Sequence, residues 1–168
     1  MKKKIAILGS TGSIGKSLLE IIKKDQKNFE IVLLTANKNY KELLRQSILF
    51  NVKNIIITDY KYYKIIKSKN LNINIYNNFN NLNKIFNKKV DYIMSSITGI
   101  NGLKPTYRSI KYTKKIAIAN KESIICAWDI LKSELKKNKT EFVPVDSEHF
   151  SIWSTLKNNS SKNIDEIF

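Results

Sequence analysis

The sequence predicts an α/β fold in which helices flank a doubly wound parallel sheet. Two observations predict it. Short apolar runs of strand length alternate with segments of helical periodicity along all 168 residues. Small or glycine-containing polar segments follow several of these strands, as they do where open α/β sheets bind ligands. The chain is also long enough to bury a hydrophobic core in one domain.

The predicted elements alternate in strict order. Apolar runs predict strands at 3–8, 29–35, 54–58, 71–76, 90–95, 115–119 and 140–145. Helical spacing predicts helices at 16–24, 40–50, 60–68, about 79–86, about 103–112 and about 121–135. The alternation gives six or seven strands and no internal repeat beyond itself.

A glycine-rich turn follows the first strand. Gly9, Gly12 and Gly15 give the spacing Gly-x-x-Gly-x-x-Gly, and a helical stripe begins directly afterwards. Strand, glycine turn and helix form the context of a dinucleotide fingerprint, in which the helix N-terminus faces a pyrophosphate. The commoner spacing is Gly-x-Gly-x-x-Gly, so a glycine connection that binds nothing stays open at this point. The predicted parallel sheet and this strand, turn and helix context together make the predicted fold class Rossmann-like.

The end of the second strand distinguishes two cofactors. An NAD-binding unit would place Asp or Glu here to hold the ribose 2′-hydroxyl. This chain has Asn37, Lys38 and Asn39 instead. A 2′-phosphate would meet amide donors and a positive charge, which favours NADP over NAD. Lys38 could equally be a solvated loop lysine in a chain so rich in lysine.

Two later strands end in polar residues that suit a ligand. The strand at 115–119 is followed by Asn120, Lys121 and Glu122. A helix N-cap with a charged first turn explains Asn120 and Glu122 well but Lys121 poorly. The segment 95–102, after the strand at 90–95, is small and glycine-rich and would let a ligand approach the backbone.

Paired carboxylates follow the last strand. Asp146 and Glu148 offer hard oxygen ligands of the kind that Mg²⁺ and Mn²⁺ prefer. The alternative is a helix that begins near Glu148, with Asp146 or Ser147 as its N-cap. Spacing alone favours the N-cap, and it is the rest of the chain that reverses this preference in favour of a cation site.

Composition limits the classes of partner. The formal charge of +16 is the difference between 30 Lys and Arg residues and 14 Asp and Glu residues, and only Arg45 and Arg108 are arginine. The lysines are spread along the chain instead of forming a basic stripe, so nucleic-acid binding is not expected. No apolar run approaches the roughly 18 residues of a membrane span, and no signal peptide is expected. A single cysteine, Cys126, fits a reducing cytoplasm.

Three segments together resemble a known family. They are residues 7–15 (Ile-Leu-Gly-Ser-Thr-Gly-Ser-Ile-Gly), 119–123 (Ala-Asn-Lys-Glu-Ser) and 144–149 (Pro-Val-Asp-Ser-Glu-His). Their order and separations are similar to the amino-terminal half of 1-deoxy-D-xylulose 5-phosphate reductoisomerase, from residue 2 onward. The segments 36–39 and 99–106 are also similar, although the family usually has Gly at the position of Asn37.

The resemblance implies a role for each matching position. The NADPH pyrophosphate and ribose would be bound by Thr11, Gly12, Ser13 and Ile14. The cofactor would also contact Asn37, Lys38, Asn39, Asn120 and Glu122, with Lys38 and Asn39 near the 2′-phosphate. Lys121 would contact the substrate as the catalytic cation. Asp146 and Glu148 would bind Mg²⁺ or Mn²⁺, and Ser147 and Glu148 would touch substrate.

The implied activity converts 1-deoxy-D-xylulose 5-phosphate to 2-C-methyl-D-erythritol 4-phosphate in isoprenoid precursor biosynthesis. Residues 1–145 would be the NADPH-binding domain, and 146–168 the start of an incomplete catalytic domain. Family members are more than twice as long, so the resemblance implies that a third acidic ligand, the phosphate-binding set and a mobile lid would be missing from these 168 residues. The chain is therefore expected to be inactive alone. His149 and Trp153 are expected to be structural, and the full-length family member to be a homodimer in the bacterial cytoplasm.

Three rival interpretations remain at this point. One is another NADP-dependent dehydrogenase, such as a semialdehyde dehydrogenase, which needs a nucleophilic Cys at a strand end. Cys126 lies inside a predicted helix, which counts against it. The second is a nucleotide-binding remnant without catalysis. The third is a basic, non-enzymatic binding protein, whose oligonucleotide affinity would fall steeply with salt.

Overall fold

The computed structural model describes residues 1–69 and 71–158. Its strands are β1 (Lys3–Leu8), β2 (Phe29–Ala36), β3 (Asn54–Ile57), β4 (Asn74–Tyr76), β5 (Val90–Ser95), β6 (Thr113–Ile118) and β7 (Glu141–Pro144). Its α-helices are α1 (Ser13–Lys24), α2 (Tyr40–Leu49), α3 (Tyr60–Lys67), α4 (Leu82–Ile85), α5 (Leu103–Ser109), α6 (Lys121–Lys137) and α7 (Ser147–Asn158). Short 3₁₀ turns cover Phe79–Asn81, Ile100–Gly102 and Ile110–Tyr112.

The strands form one parallel sheet in the order β4-β3-β2-β1-β5-β6-β7. The chain winds outward from β1 to β4, crosses back, and continues from β5 to β7 on the other side of β1. This confirms the doubly wound, Rossmann-like α/β fold. Because all pairs are parallel, every strand ends at the same edge of the sheet. The strand order reverses between β1 and β5, where such sheets form a ligand crevice.

Alternation along the strands builds a core on each face. In β1, Ile5 and Ile7 point into one cluster, and Ala6 and Leu8 point into the other. Apolar residues of α1, α2 and α3 complete the first cluster, and those of α4 and α6 complete the second. Burying each such Ile or Leu side chain contributes about 1.5–3 kcal/mol. The sheet is therefore buried on both faces, and its strand ends remain as the places where a ligand can approach.

Three predicted elements differ from the observed ones. The strand predicted at 71–76 is only Asn74–Tyr76, because a turn closed by Ile73 N–H and Leu71 O precedes it. The helix predicted at 79–86 is a 3₁₀ turn, capped by the Asn78 side chain, and one α-helical turn. The helix predicted at 103–112 divides into α5 and a 3₁₀ turn. At the second of these elements the Asn78 side chain accepts the Asn80 N–H, since Asn side chains compete for backbone hydrogen bonds.

No helix in the described ranges is both long and apolar enough to cross a bilayer.

Asp91 ties three strands together at the edge opposite the loops that follow them. Its Oδ2 accepts the backbone N–H of Lys4 at 2.8 Å, and its Oδ1 accepts the ammonium of Lys114 at 2.8 Å. The hydrogen bond from Lys114, then that from Lys4, holds the pKa of the Asp91 carboxyl below its usual range. A carboxylate whose pKa is lower in the folded state stabilises the fold above its unfolded-state pKa, and this contribution disappears as the pH falls through the folded-state pKa.

Replacing Asp91 by Asn should therefore lower the free energy of unfolding by about 1 kcal/mol at neutral pH. The difference from the native protein should shrink as the pH is lowered, because both side chains are then uncharged. Urea denaturation across an acidic pH series measures it. Asp129→Asn, on exposed α6, is the matched control and should show little effect. A pH-independent loss at Asp91 would contradict the argument.

Candidate functional site

The crevice at the strand-order reversal depends on a close backbone contact. Gly9 follows β1 and has φ +84°, and a Cβ there would lie 2.8 Å from the carbonyl oxygen of Ser96. Only glycine fits this conformation beside this neighbour. Ser96 donates its hydroxyl to the Leu8 carbonyl at 2.8 Å, which holds the ends of β1 and β5 together.

Hydrogen bonds from β2 and α2 fix the glycine turn. Gly9 N–H donates to Thr35 Oγ1, and Ser10 N–H donates to Thr35 O, both at 2.9 Å. The Ser10 hydroxyl donates to Gln46 Oε1 at 2.7 Å. On the other side the turn lies against α1, where a Cβ on Gly15 would be 2.5 Å from Gly9 O. The turn therefore has little freedom to move.

The N-terminus of α1 carries no side-chain cap. Gly12 occupies the N-cap position, the first turn contains no acid, and the first helical bond runs from Lys16 N–H to Gly12 O. The preceding amides, including those of exposed Ser13 and Ile14, point out of the helix as positive ends of the peptide dipoles. Asn and Asp side chains cap the other three long helices whose caps are described, namely α2 (Asn39), α3 (Asp59) and α6 (Asn120). The uncapped α1 terminus suits an anion.

A cleft of about 770 Å³ runs along the carboxyl edge of the sheet from the glycine turn. Three predicted cofactor residues line it, namely Thr11, Gly12 and Asn37. The cleft also has a wall on α5, where Lys104 and Arg108 stand one helical turn apart. The sequence prediction did not include these two cations. Their spacing of four residues was a sequence signal that both lie on one side of a helix. It did not stand out because lysines occur along the whole chain.

The segment after β2 is held by its two asparagines. Asn37 Nδ2 donates to Thr58 Oγ1 at 3.1 Å, and Asn39 Oδ1 accepts Glu42 N–H at 3.3 Å as the N-cap of α2. Lys38 lies exposed between them. A contact between Lys38 and a 2′-phosphate stays a prediction. The structure places the charge of Lys38 at the carboxyl edge of the sheet, and no acidic residue occupies positions 37–39.

Asn120 is buried and bonded to backbone on both sides. Its Nδ2 donates to the carbonyl oxygens of Ile97 and Gly99, the latter at 2.6 Å, and its Oδ1 accepts Ser123 N–H at 2.7 Å. Gly102 leaves room for the amide, since a Cβ there would lie 2.6 Å from Nδ2. Asn120 is therefore the N-cap of α6, as the capping alternative predicts. Its side chain also ties α6 to the loop after β5, which was not predicted from the sequence. The predicted contact with a cofactor stays a prediction.

The second polar strand end lies beside the first. Ile118 pairs with Pro144, and Val145 N–H donates to Ile118 O at 3.3 Å, so β6 and β7 end together. Lys121, exposed at the start of α6, and partly buried Asp146 thus follow neighbouring strands. With a strand spacing of about 4.8 Å, β7 lies about 14 Å from β1 along the same edge. The glycine turn and the acids share this edge.

The helix predicted near Glu148 begins at Ser147, which puts Asp146 at its N-cap position and Ser147, exposed, in its first turn. The Asp146 carbonyl accepts Phe150 N–H at 2.9 Å. The side chains of Glu148 and His149 lie outside the described residues, so their predicted roles stay predictions. In the described part of the chain, no three His, Cys, Asp or Glu residues are grouped to hold a metal. A cation at Asp146 would need further oxygen ligands.

Cys126 and Trp153 lie away from the strand ends. Cys126 is exposed within α6, as predicted, and does not follow a strand. This position does not fit the nucleophile of a semialdehyde dehydrogenase. Within α7, the Trp153 ring is tilted against that of Phe150, with 5.8 Å between ring centroids. The structural role predicted for Trp153 stays a prediction.

Replacing Asn120 by Ala should lower the free energy of unfolding by about 2 kcal/mol, because it removes a helix cap and leaves two loop carbonyls without their donor. Asn120→Asp keeps the capping oxygen but cannot donate to the Ile97 and Gly99 carbonyls. Its second carboxylate oxygen would face these two carbonyl oxygens and be repelled by them, so Asp should be at least as destabilising as Ala. Urea denaturation of both variants measures this. An unchanged midpoint for Asn120→Asp would contradict the tether.

Comparison with known proteins identifies the family. The family described as 1-deoxy-D-xylulose 5-phosphate reductoisomerase matches residues 5–128. The Pelagibacter ubique enzyme of that name is 63% identical over 170 residues, which cover 99% of this chain and 44% of the relative. The Zymomonas mobilis enzyme, solved in complex with NADPH, superposes with a TM-score of 0.80 at 32% identity, covering 89% of this chain and 40% of that one.

A further solved reductoisomerase, in complex with NADPH, fosmidomycin and magnesium, gives a TM-score of 0.78 at 32% identity, and the match covers 88% of this chain and 37% of that one. The chain thus spans less than half the length of the relatives that it matches. The resemblance of the three segments is confirmed. The chain belongs to the 1-deoxy-D-xylulose 5-phosphate reductoisomerase family.

Proposed function

We propose that residues 1–145 form the NADPH-binding unit of a metal-dependent reductoisomerase acting on 1-deoxy-D-xylulose 5-phosphate. One observation carries this: the uncapped N-terminus of α1, next to a glycine turn held by hydrogen bonds, opens on a cleft at the carboxyl edge of the sheet, and Lys121 and Asp146 follow strands that end at the same edge. Relatives solved with NADPH and with magnesium support the assignment.

The cradle fits a dinucleotide on three grounds. The amides at the start of α1, near Ser13 and Ile14, donate to anionic oxygens without side-chain competition. Thr11 and Gly12 line the cleft, and a glycine at position 12 lets the pyrophosphate approach the backbone. Lys38, with Asn37 and Asn39, offers positive charge and no carboxylate to a 2′-phosphate, which favours NADPH over NADH. Asn120 and Glu122 would complete the cofactor site from the start of α6.

The second part of the site would hold a cation and a phosphorylated sugar. Asp146 and Glu148 supply the hard oxygens that suit Mg²⁺ or Mn²⁺, with water and substrate oxygens as further ligands. Lys121 would stabilise negative charge that develops on the substrate oxygens. Ser147, exposed in the first turn of α7, would donate to the substrate. The edge position of these residues lets a sugar lie next to a cofactor in the cleft.

When bound, NADPH supplies a hydride, and the divalent cation polarises the substrate's oxygens. The chain's own residues orient these groups, and the rearrangement to 2-C-methyl-D-erythritol 4-phosphate needs a closed site. The chain covers 44% of its relative, so turnover would need the regions of the relatives beyond this match. On this proposal residues 146–168 enter the catalytic domain. A homodimer and a bacterial cytoplasmic location also belong to the proposal.

The test is a titration of the 168-residue chain with NADPH and NADH, followed by cofactor fluorescence. NADPH should bind more tightly than NADH. Lys38→Ala should weaken NADPH binding by about tenfold, or about 1.4 kcal/mol, and leave NADH nearly unchanged. Lys53→Ala, an exposed lysine before β3 at the opposite edge, is the matched control and should change neither affinity.

Two results would contradict the proposal. One is a chain that binds neither nucleotide. The other is equal affinity for NADPH and NADH together with no effect of Lys38→Ala.

A further inference from the structure

We propose that Gln46 is a positioning residue for the cofactor site, although it lies on α2 and has almost no exposed surface. Its carboxamide holds Ser10, and Ser10 sets the orientation in which the glycine turn faces the cofactor's phosphates. The inference rests on the proposed NADPH binding. On this proposal, part of the affinity for the cofactor depends on a buried side chain.

The contacts of Gln46 account for every polar hydrogen of its side chain. Oε1 accepts the Ser10 hydroxyl at 2.7 Å, and Nε2 donates to Ser10 O at 3.0 Å. The second Nε2 hydrogen goes to Glu42 Oε1 at 3.1 Å. One amide thus holds one residue of the turn at two atoms, its hydroxyl and its carbonyl. Such a two-point contact fixes orientation, which a single hydrogen bond does not.

Burial makes this contact hard to replace. Ser10 and Thr35 are fully buried, and Gln46 is 1% exposed. Bulk water does not reach these atoms, so removing the amide would leave buried polar groups of Ser10 without their partner. The Ser10 hydroxyl can turn toward Thr35 O, 3.3 Å away, but this does not serve the Ser10 carbonyl. The turn would therefore shift.

The same helix connects the two anion-binding segments. Asn39, next to Lys38, caps α2 through Glu42 N–H, and the Glu42 carboxylate accepts from Gln46. Arg45 clamps that carboxylate with two hydrogen bonds of 2.8 Å. Gln46 and Glu42 thereby fix the segment after β2 relative to the glycine turn. A dinucleotide that contacts both segments would sense a change at position 46 although it never touches that side chain.

Two variants test the proposal with NADP⁺ as probe, measured by calorimetry on the 168-residue chain. Gln46→Met keeps the size and removes all three hydrogen bonds. It should weaken NADP⁺ binding about tenfold while the circular dichroism spectrum is retained. Gln46→Glu keeps the acceptor for Ser10 but loses the donors and adds a carboxylate beside Glu42. It should weaken binding about as much at alkaline pH.

The pH profile of Gln46→Glu separates positioning from general loss of stability. The introduced carboxyl faces Glu42 and Arg45 on its own helix, and Lys16 and Glu20 on α1 act on that pair. As the pH falls it gains a proton, and the neutral acid can again donate to Ser10 O. The affinity of Gln46→Glu for NADP⁺ should then return to within about threefold of that of the native chain. Gln26→Glu, the same change at an exposed position, is the matched control for the pH dependence of NADP⁺ itself.

Each outcome decides the question. Native affinity in both variants, or an equal loss for Gln46→Glu at every pH, would overturn the positioning role while leaving the proposed NADPH binding intact. If the native chain does not bind NADP⁺, both proposals fall together. Should Gln46→Met not fold, recovery of Gln46→Glu at low pH carries the test alone.

Discussion

The site depends on one steric constraint, the contact between the backbone of Gly9 and that of Ser96. A side chain at position 9 would collide with the Ser96 carbonyl, and the positive φ of Gly9 turns the chain sharply away from β1. This turn sends α1 back over the sheet with its N-terminus at the crevice. The crevice therefore depends on the absence of a side chain at position 9.

Electrostatics then determine what the crevice can accept. Three long helices use an Asn or Asp side chain to satisfy their first amides, but α1 begins at Gly12 without one. Its amides remain available at the edge where Lys104 and Arg108 add positive charge. Dipoles and charges of one sign around a cleft favour an anionic ligand. Asp146 follows β7, three strands from β1 along the same edge, so the proposed cation site would lie apart from the glycine turn.

Much of the fold was predictable from the sequence, because alternating apolar periods are a direct consequence of burial. The runs that became β1 and β6 and the stripe that became α1 needed no tertiary information. The helix after Phe79 was less predictable because the Asn78 side chain bonds to nearby backbone, and the strand around Ile73 because a backbone turn from Leu71 to Ile73 shortens it. The polar segments that suit a ligand were recognisable from the sequence because each directly follows a predicted strand. The two-point contact of Gln46 on Ser10 and the tether from Asn120 join residues distant in sequence, and a single sequence does not show such pairs.

The identity of the anion site can be tested by following backbone amide resonances of the ¹⁵N-labelled chain during titration with NADPH. NADPH binding in the cleft should give the largest shifts at residues 11–15, 37–39 and 97–99, all at the carboxyl edge, with little change at Lys4 or Asp91. Shifts confined to the amino edge, or none at residues 11–15 when the nucleotide binds, would contradict it.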